Sequence, residues 1–219
     1  MKMVVIISFG IAAITGLGFF CMRSSNQNDG STFKYPTKVA NLGTNCTEQW
    51  QKIVLPEIQS VVVRSSLKPL EKTPPGANLV RFRFWGGFAN RGIRGIAFEL
   101  GQIGVSGIYV SSTSDRDKRI ITDRGLPLDE SQSIRLRKLL LDPSVLNVID
   151  ECVKYPEREL SPDDSEMIVI EIFDEQGYRA VSYSDPLSSE SPEARQLVDL
   201  ALELEKVTGA YLLERPSLK

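Results

Sequence analysis

The 219-residue chain contains no histidine and only three cysteines. Without imidazole, the usual general base of serine and cysteine hydrolases is missing, and so is the commonest metal ligand. Cys21 falls inside an apolar run, and the two cysteines left, Cys46 and Cys152, cannot close a tetrahedral zinc site. No Gly-x-Gly-x-x-Gly precedes a helical pattern and no Gly-Lys-Ser/Thr occurs, which removes the phosphate-cradling loops. Ser65-Ser66-Leu67-Lys68 has the spacing of a serine acyl-enzyme motif, but the Ser-Asp-Asn and Lys-Thr-Gly partners are absent. Ser114 to Lys118 alternates two aspartates with basic residues and lacks the glycine and glutamate of a calcium loop. The expectation is no metal, no cofactor and no catalytic constellation.

Charge is missing from the segment that fixes where the rest works. From Met3 to Met22 there is no Asp, Glu, Lys or Arg, and Lys2 and Arg23 flank the run. At about 1.5 Å per residue such a helix spans roughly 30 Å, the thickness of a bilayer's hydrocarbon core. Residues 1–23 are therefore expected to form an N-terminal transmembrane anchor, with a signal peptide cut near Gly16 or Gly18 as the alternative. Residues 24–43 are polar and too poor in apolar groups to fold alone, and read as a stalk. Residues 44–219 have the length of one domain and carry no second low-complexity linker.

The positive-inside rule hardly orients this anchor, because basic residues stand on both sides of it. Cysteine usage tips the balance. Cys46 and Cys152 form an even pair, which suits a disulfide in an oxidising compartment, so the globule is placed outside the cytosol, in a periplasm or at the cell exterior. Beyond Arg23, 24 bases face all 28 acids, a net charge of −4, which is not a nucleic-acid balance. The distribution is uneven: Lys72 to Phe98 holds five bases and no acid, whereas Asp150 to Lys219 holds 17 acids and seven bases.

Periodicity predicts an α+β fold, with an antiparallel meander and hairpin sheet packed against about three helices. A short helix is expected from Thr47 to Leu55, and Glu57 to Ser66 fits either helix or strand. Leu79 to Trp85 alternates with Arg81 and Arg83 on one face and Val80, Phe82 and Phe84 on the other, as in a strand with one face in water. Gly86, Gly87, Asn90 and Gly92 supply turn chemistry before strands at Ile93 to Leu100, Val105 to Ser112 and Lys118 to Thr122. Asp129 and Gln132 make a capping-box pattern ahead of a helix that stops at Asp142-Pro143, where a second helix starts with Val145, Val148, Ile149 and Cys152 on one face. Met167 to Phe173 and Tyr178 to Tyr183 read as a hairpin, and Ser191-Pro192 opens a last helix that Gly209 closes.

The basic, aromatic stretch is the candidate binding site. Arg81, Arg83, Trp85, Phe88, Arg91 and Arg94 would gather at a hairpin tip, where guanidinium forks suit carboxylate or phosphate. The expected partners are the membrane through residues 3–22 and an acidic protein or anionic envelope ligand. Two alternatives stay open at this stage. One is a hydrolase of an envelope polymer using Glu99 and Glu171, the only acids embedded in apolar strand patterns, which would have to share one pocket. The other is an inhibitor or immunity-type protein that captures an acidic partner.

Overall fold

Alternating and β-branched stretches pair into one sheet in the computed structural model, which describes residues 46, 48, 50–67, 70, 78–87, 92–115, 118–156 and 166–213. The strands are β1 (Val80–Gly87), β2 (Ile93–Leu100), β3 (Val105–Asp115), β4 (Lys118–Leu126), β5 (Met167–Asp174) and β6 (Gly177–Ser184). Their spatial order is β4-β3-β2-β1-β5-β6, and all neighbours are antiparallel. The first four strands form the expected meander. The chain then crosses back over helices to lay the β5–β6 hairpin against the other side of β1.

Six helical segments are described, where about three helices were expected. A π-helical turn (Trp50–Val54) runs into α1 (Leu55–Val62), followed by α2 (Glu130–Leu140), α3 (Pro143–Leu146), α4 (Glu151–Lys154) and α5 (Pro192–Thr208). Local chemistry sets most of the boundaries. Asp129 and Gln132 close a reciprocal capping box at the start of α2. Ser191 caps α5 with Pro192 in its first turn, and Gly209 ends it in the left-handed conformation at φ +66°. The single helix expected after Pro143 is instead two four-residue pieces. Asp150 leaves helical geometry to cap Cys152 N–H, and Ile149 ends up about half exposed.

The strand pattern of β1 also needs correcting, because neither of its faces lies in water. Phe82 and Phe84 join Ile96, Phe98, Ile168 and Ile170 on a first face, which α2 and α5 cover with Leu136, Leu140, Leu197, Leu200 and Leu204. Trp85 joins Ile93, Val110, Val169 and Phe173 on a second face, covered by Trp50, Leu55, Ile58 and Val61 from the N-terminal helical segment. The sheet is thus the middle of three layers. A sequence that alternates Arg with Phe reads as one-sided, yet both sides are buried. Gly86 and Gly87 close β1 rather than forming a turn: a side chain at Gly86 would meet the Leu212 carbonyl oxygen at 2.6 Å, where the chain after α5 crosses the strand.

The sheet's β6 edge is sealed. Ser182 N–H and Oγ–H donate to Asp150 Oδ2 at 2.7 and 2.9 Å, and Ser184 N–H donates to Glu151 Oε2 at 2.7 Å. Carboxylates at the start of α4 thereby occupy donors that an open edge would offer to another chain. Cys152 on α4 is bonded to Cys46, with Cα atoms 5.7 Å apart across a sequence separation of 106. The first described residue is so joined to the helix that seals the edge. Among the described residues no helix is long and apolar enough to cross a membrane; the run 3–22 lies outside them.

Candidate functional site

Arg81, Arg83 and Trp85 project in register from the second face of β1. Opposite them on β2 stand Glu99, Ala97 and Gly95, and on β5 stand Phe173, Glu171 and Val169. Each arginine therefore meets a carboxylate across the ladder, the favourable kind of cross-strand pair. Arg81 Nε donates to Glu99 Oε1 at 3.0 Å. Arg83 lies 3.9 Å from Glu171, and both are almost wholly enclosed.

Glu171 is the hub of this face. Its Oε2 accepts from Trp85 Nε1–H at 2.6 Å, and its Oε1 accepts from the Tyr178 hydroxyl at 2.7 Å. Trp50 packs over Tyr178 with ring centroids 6.4 Å apart and closes the cluster from outside. Gly95 lies beneath the Trp85 ring, and any Cβ there would collide with it. An isolated carboxylate buried to this degree would be prohibitively costly, and here a cation and two donors surround it.

A cavity of about 190 Å³ opens beside the cluster, lined among others by Ser66, Leu67, Arg81, Arg83, Glu99 and Ser106. Glu99 reaches it and Glu171 does not. Glycoside-type hydrolysis needs two carboxyl groups that both reach the substrate, one holding a proton and the other ionised. Here one is ion-paired at the cavity wall and the other is only 1% exposed beneath indole and phenol. The geometry brings both acids to one face of the sheet without bringing them to one site.

Arg94, the remaining described arginine of the expected set, goes elsewhere. Arg94 alternates with Ile96 and Phe98, so it projects from the first face, opposite Arg81, Arg83 and Trp85. Its guanidinium lies over the Tyr211 ring at 4.7 Å. The structure therefore divides the expected cluster: Arg83 and Trp85 are enclosed, Arg81 is ion-paired, and Arg94 stands apart. Phe88 and Arg91 lie outside the described residues.

Three residues near Arg94 were not singled out from the sequence. Tyr109 on β3 donates its hydroxyl to the Tyr211 carbonyl oxygen at 3.0 Å, and Arg124 on β4 sits 5.4 Å from the Tyr109 ring centroid. Burial pushes the Tyr109 phenol above its ordinary value, while the charges of Arg94 and Arg124 pull it back. Only the alternation of β4, extended to Leu126, would have placed Arg124 on this face. Nothing local in the sequence links it to Tyr211.

Among the described residues one group of metal-type ligands converges, formed by Cys46, Asp150 and Cys152. The two sulfurs are bonded to each other, and both Asp150 oxygens already accept from Cys152 and Ser182. Burial raises the Asp150 carboxyl above its ordinary 3.8, against the pull of those same hydrogen bonds. The arrangement is a structural staple. Compared with known proteins, the chain matches no family model, no curated protein and no solved structure.

Proposed function

We propose that this protein is a membrane-tethered domain that works outside the cytosol and binds a partner without catalysing a reaction. The observation that carries the reading is the closed state of the embedded carboxylates: Glu99 is held by Arg81, and Glu171 by Trp85, Tyr178 and Arg83. Glu171 is shut away from the cavity that Glu99 lines, so the two acids do not converge on one substrate. The absence of histidine from the sequence leaves no imidazole to replace them.

The compartment follows from two supports of different kind. The buried Cys46–Cys152 bond suits an oxidising environment. The uncharged run from Met3 to Met22 supplies the tether, and the polar segment after it supplies reach.

The test is a turnover assay of the purified full chain on envelope glycans and peptides, with Glu99→Gln alongside. No product above background is expected from either protein. Product released by the unaltered chain and lost in Glu99→Gln contradicts the reading and restores a hydrolase.

A further inference from the structure

One corner of the sheet's first face is left open. Across β2, β3 and β4 the register aligns Arg94, Ser111 and Thr122 in one row and Ile96, Tyr109 and Arg124 in the next. Thr122 and Arg124 are exposed, Ile120 and Tyr211 are nearly half exposed, and Arg94, Ser111 and Tyr109 are partly so. The side chains form a continuous assembly. Arg94 stacks on Tyr211, whose carbonyl takes the Tyr109 hydroxyl; Arg124 stacks on Tyr109; and the Ser111 and Thr122 hydroxyls bond at 2.8 Å.

Two guanidinium groups in adjoining rows, each stacked on a tyrosine ring, set this corner apart. Arg81, Arg83, Arg119, Arg135 and Arg179 each have a carboxylate within 4.0 Å. Among the described residues Arg64, Arg94, Arg124, Arg137 and Arg195 have none, and of these Arg94 and Arg124 lie over tyrosine rings side by side on one face of the sheet. Stacking immobilises a guanidinium while leaving its N–H edge to face outward, so little freedom is lost when a carboxylate docks. Arginine and tyrosine are also among the residue types that dominate binding energy at protein interfaces, and strands carry three of these four, Arg94, Tyr109 and Arg124.

We infer that this corner, centred on Arg94 and Arg124 with Tyr109, Tyr211 and Ile120 around them, docks an acidic segment of a partner protein. Aspartate or glutamate carboxylates of the partner take the two guanidinium edges, and its apolar groups cover Ile120 and the tyrosine rims. The two cations offer complementarity to a segment of opposite charge, on a domain that is otherwise net acidic. The inference rests on the binding reading above and can fail without it, because that reading is judged by turnover and this one by the site of binding.

The experiment uses the full chain in nanodiscs of uncharged lipid and a fluorescein-labelled decaglutamate peptide, followed by anisotropy at low ionic strength, where screening is weak. Reversing both charges, Arg94→Glu with Arg124→Glu, is expected to weaken binding by about tenfold or more. Arg135→Glu makes the same kind of charge change on α2, at a residue paired with Glu203 of α5 and not part of the stacked assembly, and is expected to alter binding by less than about twofold. If the double variant has lost its melting transition, Arg124→Ala at an exposed position carries the test, with an expected loss of about threefold to tenfold. No peptide binding by the unaltered chain overturns the inference, as does equal loss in Arg135→Glu or unchanged binding in the corner variants. Stronger capture of phosphatidylglycerol vesicles through the same two arginines also overturns it, by assigning the corner to lipid phosphate.

Discussion

The two faces of this sheet are buried by different means. The first is sealed by leucine, isoleucine and phenylalanine between strands and helices, and its charged groups at the sheet stand toward the margins: the Asp174–Arg179 pair on β5 and β6, and the open corner around Arg94 and Arg124. The second carries two arginines and two glutamates in cross-strand register, and an indole and a phenol complete it. Apolar packing is non-directional and tolerates exchange of one aliphatic group for another. A buried hydrogen-bonded charge fixes register, since a slip of one residue would carry Glu171 to the opposite face. The lesson is that arginines of the same strand and its neighbour meet different surroundings: those on the second face pair with carboxylates across the ladder, and the one on the first face stacks on Tyr211.

The largest effect is expected where the second face depends on one residue. Glu171→Ala leaves Trp85 and Tyr178 without their acceptor and Arg83 without its nearby carboxylate, and should cost about 3–5 kcal/mol in urea unfolding. Leu200→Val on the first face should cost only about 1 kcal/mol, in the range of a lost buried methylene. Equal losses would erase the contrast between the faces.

Reduction comes next. Opening the Cys46–Cys152 bond releases a loop spanning 106 positions, and the expected loss is about 2–4 kcal/mol, measured as a fall in Tm with and without reductant. An unchanged Tm would mean that the N-terminal segment holds the second face without its staple.

Glycines sharpen the comparison at smaller scale. Gly95→Ala drives a methyl into the Trp85 ring and should cost about 1–3 kcal/mol, whereas at Gly107 the neighbours are side-chain carbons of Leu126 and Phe98 at 3.0 Å, which can yield. Gly107→Ala is expected to be the milder by at least about 1 kcal/mol. The reverse order would place the rigid packing on the first face.

These contrasts also show what the sequence carried. The capping box at Asp129, the proline and glycine that bound the last helix, and the hairpin after Met167 depend on neighbours within a few positions, so local chemistry specified them. The burial of Arg83 and the surroundings of Glu171 depend on residues as distant as Trp50 and Trp85. Alternation in β1 announced two faces without saying that a second layer would cover the polar one. The same limit split the expected binding cluster: period two separates Arg94 from Arg83 only when the β1–β2 register is known.

Asp150 gives the smallest effect, read by pH. Because burial raises its folded-state pKa, the folded chain holds this proton at pH values where the unfolded chain has lost it. Its contribution to stability therefore falls as pH rises through the ordinary 3.8 toward the folded value, and is level above that. Carboxyl NMR titration should place the Asp150 midpoint above 3.8; a midpoint at or below it would mean that the Ser182 and Cys152 hydrogen bonds outweigh burial.

Whether the domain lives outside the cytosol is decided most directly by the thiols of protein taken from intact cells. Cells treated with a membrane-permeant alkylating reagent before lysis, then digested without reductant, should yield a Cys46 peptide linked to a Cys152 peptide. Recovery of the two cysteines as separate alkylated thiols would contradict the oxidising compartment, and with it the tethered extracytoplasmic binder proposed for this chain.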